Sequence, residues 1–262
     1  QPAFTRMYRV GSTPGGAIYF HYGFASWDGV RKRHSSNAIV IHRGVAKELP
    51  VPESLDSISI TDITAGPGNN IWYVATGYPS GESDRRPYVC NYDLDANTSR
   101  SWFIPRSSEA ATTVPRILLV RDDRVLISRS VDTVIDERLT SAGRLHWLRI
   151  ADTSFDEIAE LRGFLDQWSM QTLDVMDFGS TLAIALTSTM ISYDLSSGRS
   201  TPVTIRGSST TRLGKNSFRA PVRVGEHYVM LGENQSVIAV RMEEGTTSVQ
   251  SHEHDSFDDV IL

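Results

Sequence analysis

Asn91-Tyr92-Asp93-Leu94, followed by Asp95-Ala96-Asn97-Thr98, and Ser192-Tyr193-Asp194-Leu195, followed by Ser196-Ser197-Gly198-Arg199, are the stretches that decide the fold. Each reads as a strand ending in a tight turn that starts another strand, over residues 101–104 and 202–205 respectively. Weaker copies of the first strand stand at Leu148-Arg149-Ile150 and at Val240-Arg241-Met242, the latter followed by Glu243-Glu244-Gly245-Thr246. A first copy, Ile41-His42-Arg43, leads through Gly44 into residues 46–50. The equivalent positions 41, 92, 148, 193 and 240 lie 51, 56, 45 and 47 residues apart.

Outward from these stretches, short runs rich in β-branched and aromatic residues recur along the whole chain. They fall at residues 17–22, 38–42, 70–76, 88–94, 117–120, 125–129, 145–150, 181–186, 190–195, 227–231 and 237–242, bounded by Gly, Pro, Asn, Asp or Ser. Long helical periodicity is almost absent, so the class is all-β. About four strands per repeat of this length is the signature of propeller blades. The expectation is a single domain over residues 1–262, a β-propeller of about five four-stranded antiparallel blades. Their bounds fall near 1–54, 55–107, 108–165, 166–213 and 214–262. The alternative is five blades of a six- or seven-bladed propeller, the rest removed or supplied elsewhere. Tyr92 and Tyr193 are expected at equivalent places two blades apart. Ser154-Phe155-Asp156-Glu157 has capping-box spacing, with Ile158, Leu161 and Leu165 at helical intervals, yet the outer strand of blade three is the preferred reading there.

The stretch Ile63-Thr64-Ala65-Gly66-Pro67-Gly68-Asn69-Asn70-Ile71-Trp72-Tyr73-Val74, whose blade ends with Trp102-Phe103-Ile104-Pro105, resembles a repeat of the NHL and streptogramin-lyase type. The Tyr-Asp-Leu-Ser-Ser-Gly turn at 193–198 is similar to kelch, quinoprotein and WD40-like blades. Trp27-Asp28 stands in a loop instead of ending a blade as a WD40 dipeptide does, and no paired glycines recur as in kelch. The resemblance implies a superfold, and a superfold confers no activity.

Composition narrows the function classes. The 262 residues are 40% hydrophobic and 22% charged with a formal net charge of -5, which argues against bulk attraction to nucleic acid. No apolar run is long enough for a membrane-spanning helix, and no targeting segment is visible. The chain starts at Gln1, which reads as processing or excision from something longer. A lone cysteine, Cys90, excludes an intramolecular disulfide and Cys-based zinc sites; its alternating strand predicts a buried, free thiol. Arginine outnumbers lysine 23 to 3, which codon usage explains as readily as function does. The phosphate-loop, serine-elbow, dinucleotide and H-E-x-x-H motifs are absent, and no cofactor or metal is expected.

Candidate sites then rest on loops. Residues 25–37, 77–87 and 130–144 read as long, charged connections between the middle strands of the first three blades. Blades four and five have tight ones near 187–189 and 233–236. Such length needs an explanation, usually binding or disorder. The charges read either as a docking surface or as solvated loops pairing among themselves, each pair worth less than about 1 kcal/mol. On the docking reading, Trp27, Arg31, Arg33, Arg85, Arg86 and Arg138 face acidic groups of a protein partner.

The rival reading is an enzyme acting on a carbohydrate or another small polar substrate at the axial funnel. It would use two of Asp56, Asp62, Asp174, Asp177 and Glu226, which lie near the starts of innermost strands. A third reading, a carbohydrate-binding propeller, would use Trp27, Tyr22, Tyr78 or Trp168, without the blade-by-blade repetition of a lectin. Trp72, Tyr73, Tyr92, Trp102, Trp147 and Tyr193 are assigned to packing between blades. His21, His42, His146 and His227 are read as half-buried strand residues, and His252-Glu253-His254-Asp255 as a polar tail.

Overall fold

A computed structural model describes residues 3–27, 32–53, 55–79, 84–105, 115–135, 138–166, 172–186, 190–203, 205–206, 222–225, 227–231, 237–243 and 246–252. Sheet 1 holds β1 (Ala3–Ser12), β2 (Ile18–Trp27), β3 (Lys32–His42) and β4 (Val45–Glu48), in that order. Sheet 2 follows with β5 (Leu55–Ala65), β6 (Asn70–Pro79), β7 (Arg86–Asp93) and β8 (Thr98–Phe103). Sheet 3 comprises β9 (Arg116–Val120), β10 (Arg124–Ile135), β11 (Arg138–Arg149) and β12 (Phe155–Glu157). Sheet 4 comprises β13 (Thr172–Asp177), β14 (Thr181–Leu186), β15 (Met190–Asp194) and β16 (Ser200–Val203).

The last sheet has one strand more than expected. It contains β17 (Ile205–Arg206), β18 (Val222–Val224), β19 (His227–Leu231), β20 (Val237–Glu243) and β21 (Thr246–His252). Its order is β17-β21-β20-β19-β18, and β17 joins β21 in parallel at the outer edge.

The turns of the two deciding stretches are built alike. Asp93 Oδ1 accepts the N–H groups of Asp95 and Ala96 at 3.0 and 2.9 Å, and Asp194 Oδ1 accepts those of Ser196 and Ser197 at 2.9 and 2.8 Å. A carboxylate at this place replaces the partners that the turn's amides lose on leaving the ladder. Four residues after each aspartate the backbone is left-handed, at Asn97 (φ 54°) and Gly198 (φ 66°). The N–H groups of Leu94 and Leu195 reach back to Asn69 O and Ser180 O at 3.1 and 2.9 Å. Sheet 3 repeats the frame without the acid: Ile150 N–H bonds Asp123 O at 2.9 Å, and Thr153 has φ 60°. Tyr92 and Tyr193 therefore occupy equivalent places on third strands, opposite Ser99 and Ser200. Sheet 1 uses a shorter solution, a two-residue turn at Arg43 and Gly44 with φ 50° and 75°.

Sheet 2 is buried on both faces, so its strand β6 reads as a continuous apolar run instead of an alternating one. On β6, Ile71, Tyr73 and Ala75 pack with Tyr19, Ala38 and Val40 of sheet 1, while Trp72 and Val74 pack with Ile117, Val125 and Ile127 of sheet 3. Within sheet 2, Trp72 stacks on Trp102 with ring centroids 5.4 Å apart, and both pack against the apolar side chains of sheet 3. Met176, Ala183, Ala185 and Met190 of sheet 4 cluster with Val240 of sheet 5. Complete burial of such side chains stabilises by about 1.5–3 kcal/mol each.

The chain forms two compact units, Gln1–Asp132 with Leu145–Glu157, and Thr133–Arg144 with Ile158–Leu262. Two details differ from the sequence reading. Residues 155–157 are indeed the outer strand, but a 3-10 turn at Ala159–Leu161 and a short helix, α1 (Arg162–Asp166), follow it. Leu161 and Leu165 are buried, so the helical spacing marks packing one turn later than the capping box suggests. The second difference concerns the long connections. Strand pairing runs through most of residues 25–37 and 130–144, where cross-strand partners keep the arms extended, and through residues 77, 86 and 87 of the second connection.

Candidate functional site

Among the described residues, the long connections of sheets 1 and 3 are extensions of the middle strands. In sheet 1 the β2–β3 register continues to Trp27 opposite Lys32, whereas β4 pairs only as far as Ile39. Residues 32–38 of β3 thus overhang the outer strand. In sheet 2, β6–β7 pairing reaches Gly77 opposite Arg86, and β8 stops at Tyr88. In sheet 3, β12 pairs with His146, Trp147 and Leu148, and residues 138–145 of β11 run on beyond it. Among its described residues sheet 4 has no such overhang, since Met190, the first residue of β15, is opposite Val203 on β16.

Of the expected docking residues, Trp27 ends β2, Arg33 lies in β3 opposite Ser26, and Arg138 begins β11. Arg85 is exposed just before β7. Arg86 begins β7, and its guanidinium lies 5.7 Å from the Phe103 ring centroid. Arg31 lies outside the described residues.

The acids expected around an axis have separate engagements. Asp62, on the innermost strand β5, is buried; its Oδ2 accepts the Ile117 N–H of β9 at 2.8 Å. Its Oδ1 lies 3.5 Å from Arg9 Nη1, and that nitrogen also donates to Ile63 O at 2.8 Å. Asp62 therefore ties the inner strands of three successive sheets together. Asp174 Oδ1 accepts the Val175 N–H and Asp177 Oδ1 the Gly179 N–H, each at 2.8 Å. Asp56 lies in β5 opposite Tyr78, and Glu226 lies outside the described residues. Among the described residues, no three His, Cys, Asp or Glu side chains form a metal-holding group.

Two polar networks escaped the sequence reading. His21 Nε2 donates to Ile60 O at 2.8 Å, and Ser36 Oγ donates to the same oxygen. Burial lowers the His21 pKa from its ordinary value, against the raising effects of the Ile60 bond and nearby Asp62. Burial likewise raises the Tyr19 pKa beside Arg9. The second network lines a cleft of about 280 Å³ at the opposite end of sheets 1 and 2 from their hairpin ends. There Arg43 donates to Asp95 Oδ1 at 2.9 Å, His42 lies 3.4 Å from the same oxygen, and Lys47 donates to Asn97 Oδ1 at 3.0 Å. The repeat register held the signal: it puts the turn of sheet 1 beside the turn of sheet 2.

His146 and Cys90 lie in the interior. Arg129 donates to His146 Nε2 at 3.0 Å; a guanidinium only donates, so His146 carries its proton on Nδ1. Cys90 is a free, buried thiol, as expected, and burial pushes its pKa up to about 12. Of the aromatics considered for sugar stacking, Tyr22 lies with its ring 6.3 Å from that of Phe24 and Tyr78 is exposed. Trp168 lies outside the described residues.

No family model and no curated protein matches the chain. Solved structures do. An extracellular domain assigned to a hybrid two component system of B. thetaiotaomicron aligns over 95% of this chain and 33% of its own, with TM-score 0.51 and 14% identity. The major Malassezia sympodialis allergen Mala s 1 aligns over 93% and 77%, with TM-score 0.50 and 11% identity. The Pyrococcus horikoshii acylaminoacyl peptidase aligns over 95% and 45%, with TM-score 0.51 and 8% identity. The chain has a β-propeller fold. It spans about a third of the first of these structures, and at such identities the likeness concerns the fold alone. No helix among the described residues is long and apolar enough to cross a membrane.

Proposed function

We propose that this propeller is a non-catalytic interaction module, a subunit or domain of a larger assembly, docking a protein through its overhanging hairpins. The observation that carries the reading is the overhang itself: among the described residues, the middle hairpins of the first three sheets outrun their outer strands, and that of sheet 4 does not. An extended hairpin orders more residues than a tight turn does, at a cost in conformational entropy that a purely structural propeller would avoid. The hairpin ends carry Trp27, Arg31, Arg33, Arg85, Arg86 and Arg138, and guanidinium groups make planar two-pronged contacts with carboxylates. The partner surface is accordingly acidic. Docking is preferred over hydrolysis at axial acids because the Asp62 carboxylate is already bonded to Ile117 and paired with Arg9.

Native-source co-purification with cross-linking tests this. The expected result is a protein cross-linked to residues 27–33 or 80–86, which the variant Arg33→Glu with Arg85→Glu binds at least about tenfold more weakly at an unchanged melting temperature. Equal affinity in the reversed protein, or a footprint confined to residues after 166, sinks the proposal.

A further inference from the structure

The cleft between the turns of sheets 1 and 2 serves neither the repeat nor the hairpins. All its lining residues belong to the first compact unit, so its walls are set by two sheets packed directly on each other. Val40 and Leu94, both buried, supply an apolar part of the lining. The turn of sheet 2 needs Asp93, whose carboxylate holds its amides, but it does not need the polar residues that line the cleft. Where sheet 2 has Asp95 and Asn97, sheet 4 makes the same turn with Ser196 and Gly198. Sheet 1 supplies His42, Arg43 and Lys47.

Donors and acceptors are unequal there. Asp95 Oδ1 accepts from Arg43 at 2.9 Å with His42 at 3.4 Å, and Asp95 Oδ2 accepts from Asn69 Nδ2 at 2.9 Å. Asn97 Oδ1 accepts from Lys47 at 3.0 Å and from the Tyr92 hydroxyl at 2.7 Å. A guanidinium carries five N–H groups and an ammonium three. Among the described residues, Arg43 and Lys47 each reach one acceptor, so most of their donors are left for another molecule. Charge is unequal too: two permanent cations and a histidine face one carboxylate, although the whole chain carries -5.

We propose that this cleft binds a small organic anion, with its phosphate, sulfate or carboxylate group on Arg43 and Lys47 and its carbon skeleton against Val40 and Leu94. A guanidinium holds an oxyanion through two parallel bonds, and an ammonium adds a point charge. The volume of about 280 Å³ lies at the foot of the range of about 300–1,000 Å³ for ligand pockets, which suits a compact molecule.

The test is calorimetric titration of the full chain with glucose 6-phosphate, citrate and sulfate, with glucose as the uncharged control, alongside amide shifts by NMR. The expected result is that glucose 6-phosphate or citrate binds with a Kd below about 1 mM, more tightly than sulfate or glucose, and shifts the amides of residues 42–47 and 94–98. Arg43→Asn with Lys47→Gln should raise that Kd at least about tenfold; asparagine tolerates the left-handed backbone at position 43 (φ 50°). Arg33→Glu with Arg85→Glu should leave it unchanged, which separates this site from the hairpin ends. Circular dichroism establishes that the cleft variant is folded; should it not fold, the amide shifts of the unaltered chain decide alone. Failure of both organic anions to bind below about 1 mM overturns the proposal. So does sulfate or glucose binding as tightly as they do, a shift pattern outside the cleft, or an unchanged Kd in the folded cleft variant.

Discussion

A few polar side chains carry more of this fold than their number suggests. Asp62 joins three inner strands, and His21 donates a hydrogen bond to Ile60 O from inside the interface of sheets 1 and 2. Because burial holds the folded-state pKa of His21 below the free histidine value of about 6.5, the unfolded chain takes up a proton before the folded one does. The contribution is complete above that value and is lost as pH falls below it. His21→Gln keeps an amide donor without a titrating group. Melting temperature measured between about pH 8 and pH 5 should therefore fall less steeply in this variant than in the parent. Parallel curves would show that His21 does not titrate as argued.

At the scale of elements, the aspartate-led turn is the unit that repeats. It costs little because one carboxylate serves two amides and a single left-handed residue closes the path. The hydrogen bonds from Ser196 and Ser197 hold the Asp194 carboxyl down at about 2. Gly198 has φ 66°, a conformation in which a Cβ crowds the following carbonyl. Gly198→Ala is thus expected to destabilise by about 1 kcal/mol in a denaturant titration, although its Cβ would meet nothing closer than Glu160 at 3.7 Å. A neutral result would mean that the turn relaxes at no cost.

For the whole molecule, stability is divided among sheet-to-sheet interfaces that meet only neighbours, as in other repeat folds. Ile63 belongs to the interface of sheets 1 and 2, and Ile127 to that of sheets 2 and 3. Each truncation to alanine should cost about 2–5 kcal/mol through lost transfer energy and an unfilled cavity. The double variant should show the sum within about 0.5 kcal/mol, because the two sites share no partner side chain. A coupling well above that would mean that sheet 2 transmits strain between its faces.

The fold class was legible in the sequence because it rests on local signals. Strand periodicity and the spacing of the Asp93 and Asp194 turns follow from backbone geometry within a few residues, and they place Tyr92 and Tyr193 equivalently without any long-range knowledge. Trp72 and Trp102 were assignable to packing on size alone. Tertiary structure decided what depends on neighbours distant in sequence. Residues 25–37 and 130–144 looked like loops because polar residues interrupt their alternation, but cross-strand pairing keeps them extended. Asp62 is indistinguishable by composition from a catalytic acid; only its distances to Ile117 and Arg9, 55 and 53 residues away, commit it to holding strands together. Likewise Ile18 and Tyr73 are both apolar strand residues, and which of them is covered is set by whether another sheet lies against it. A strand's own pattern can mark a buried residue such as Cys90, but it does not show which other sheet covers it.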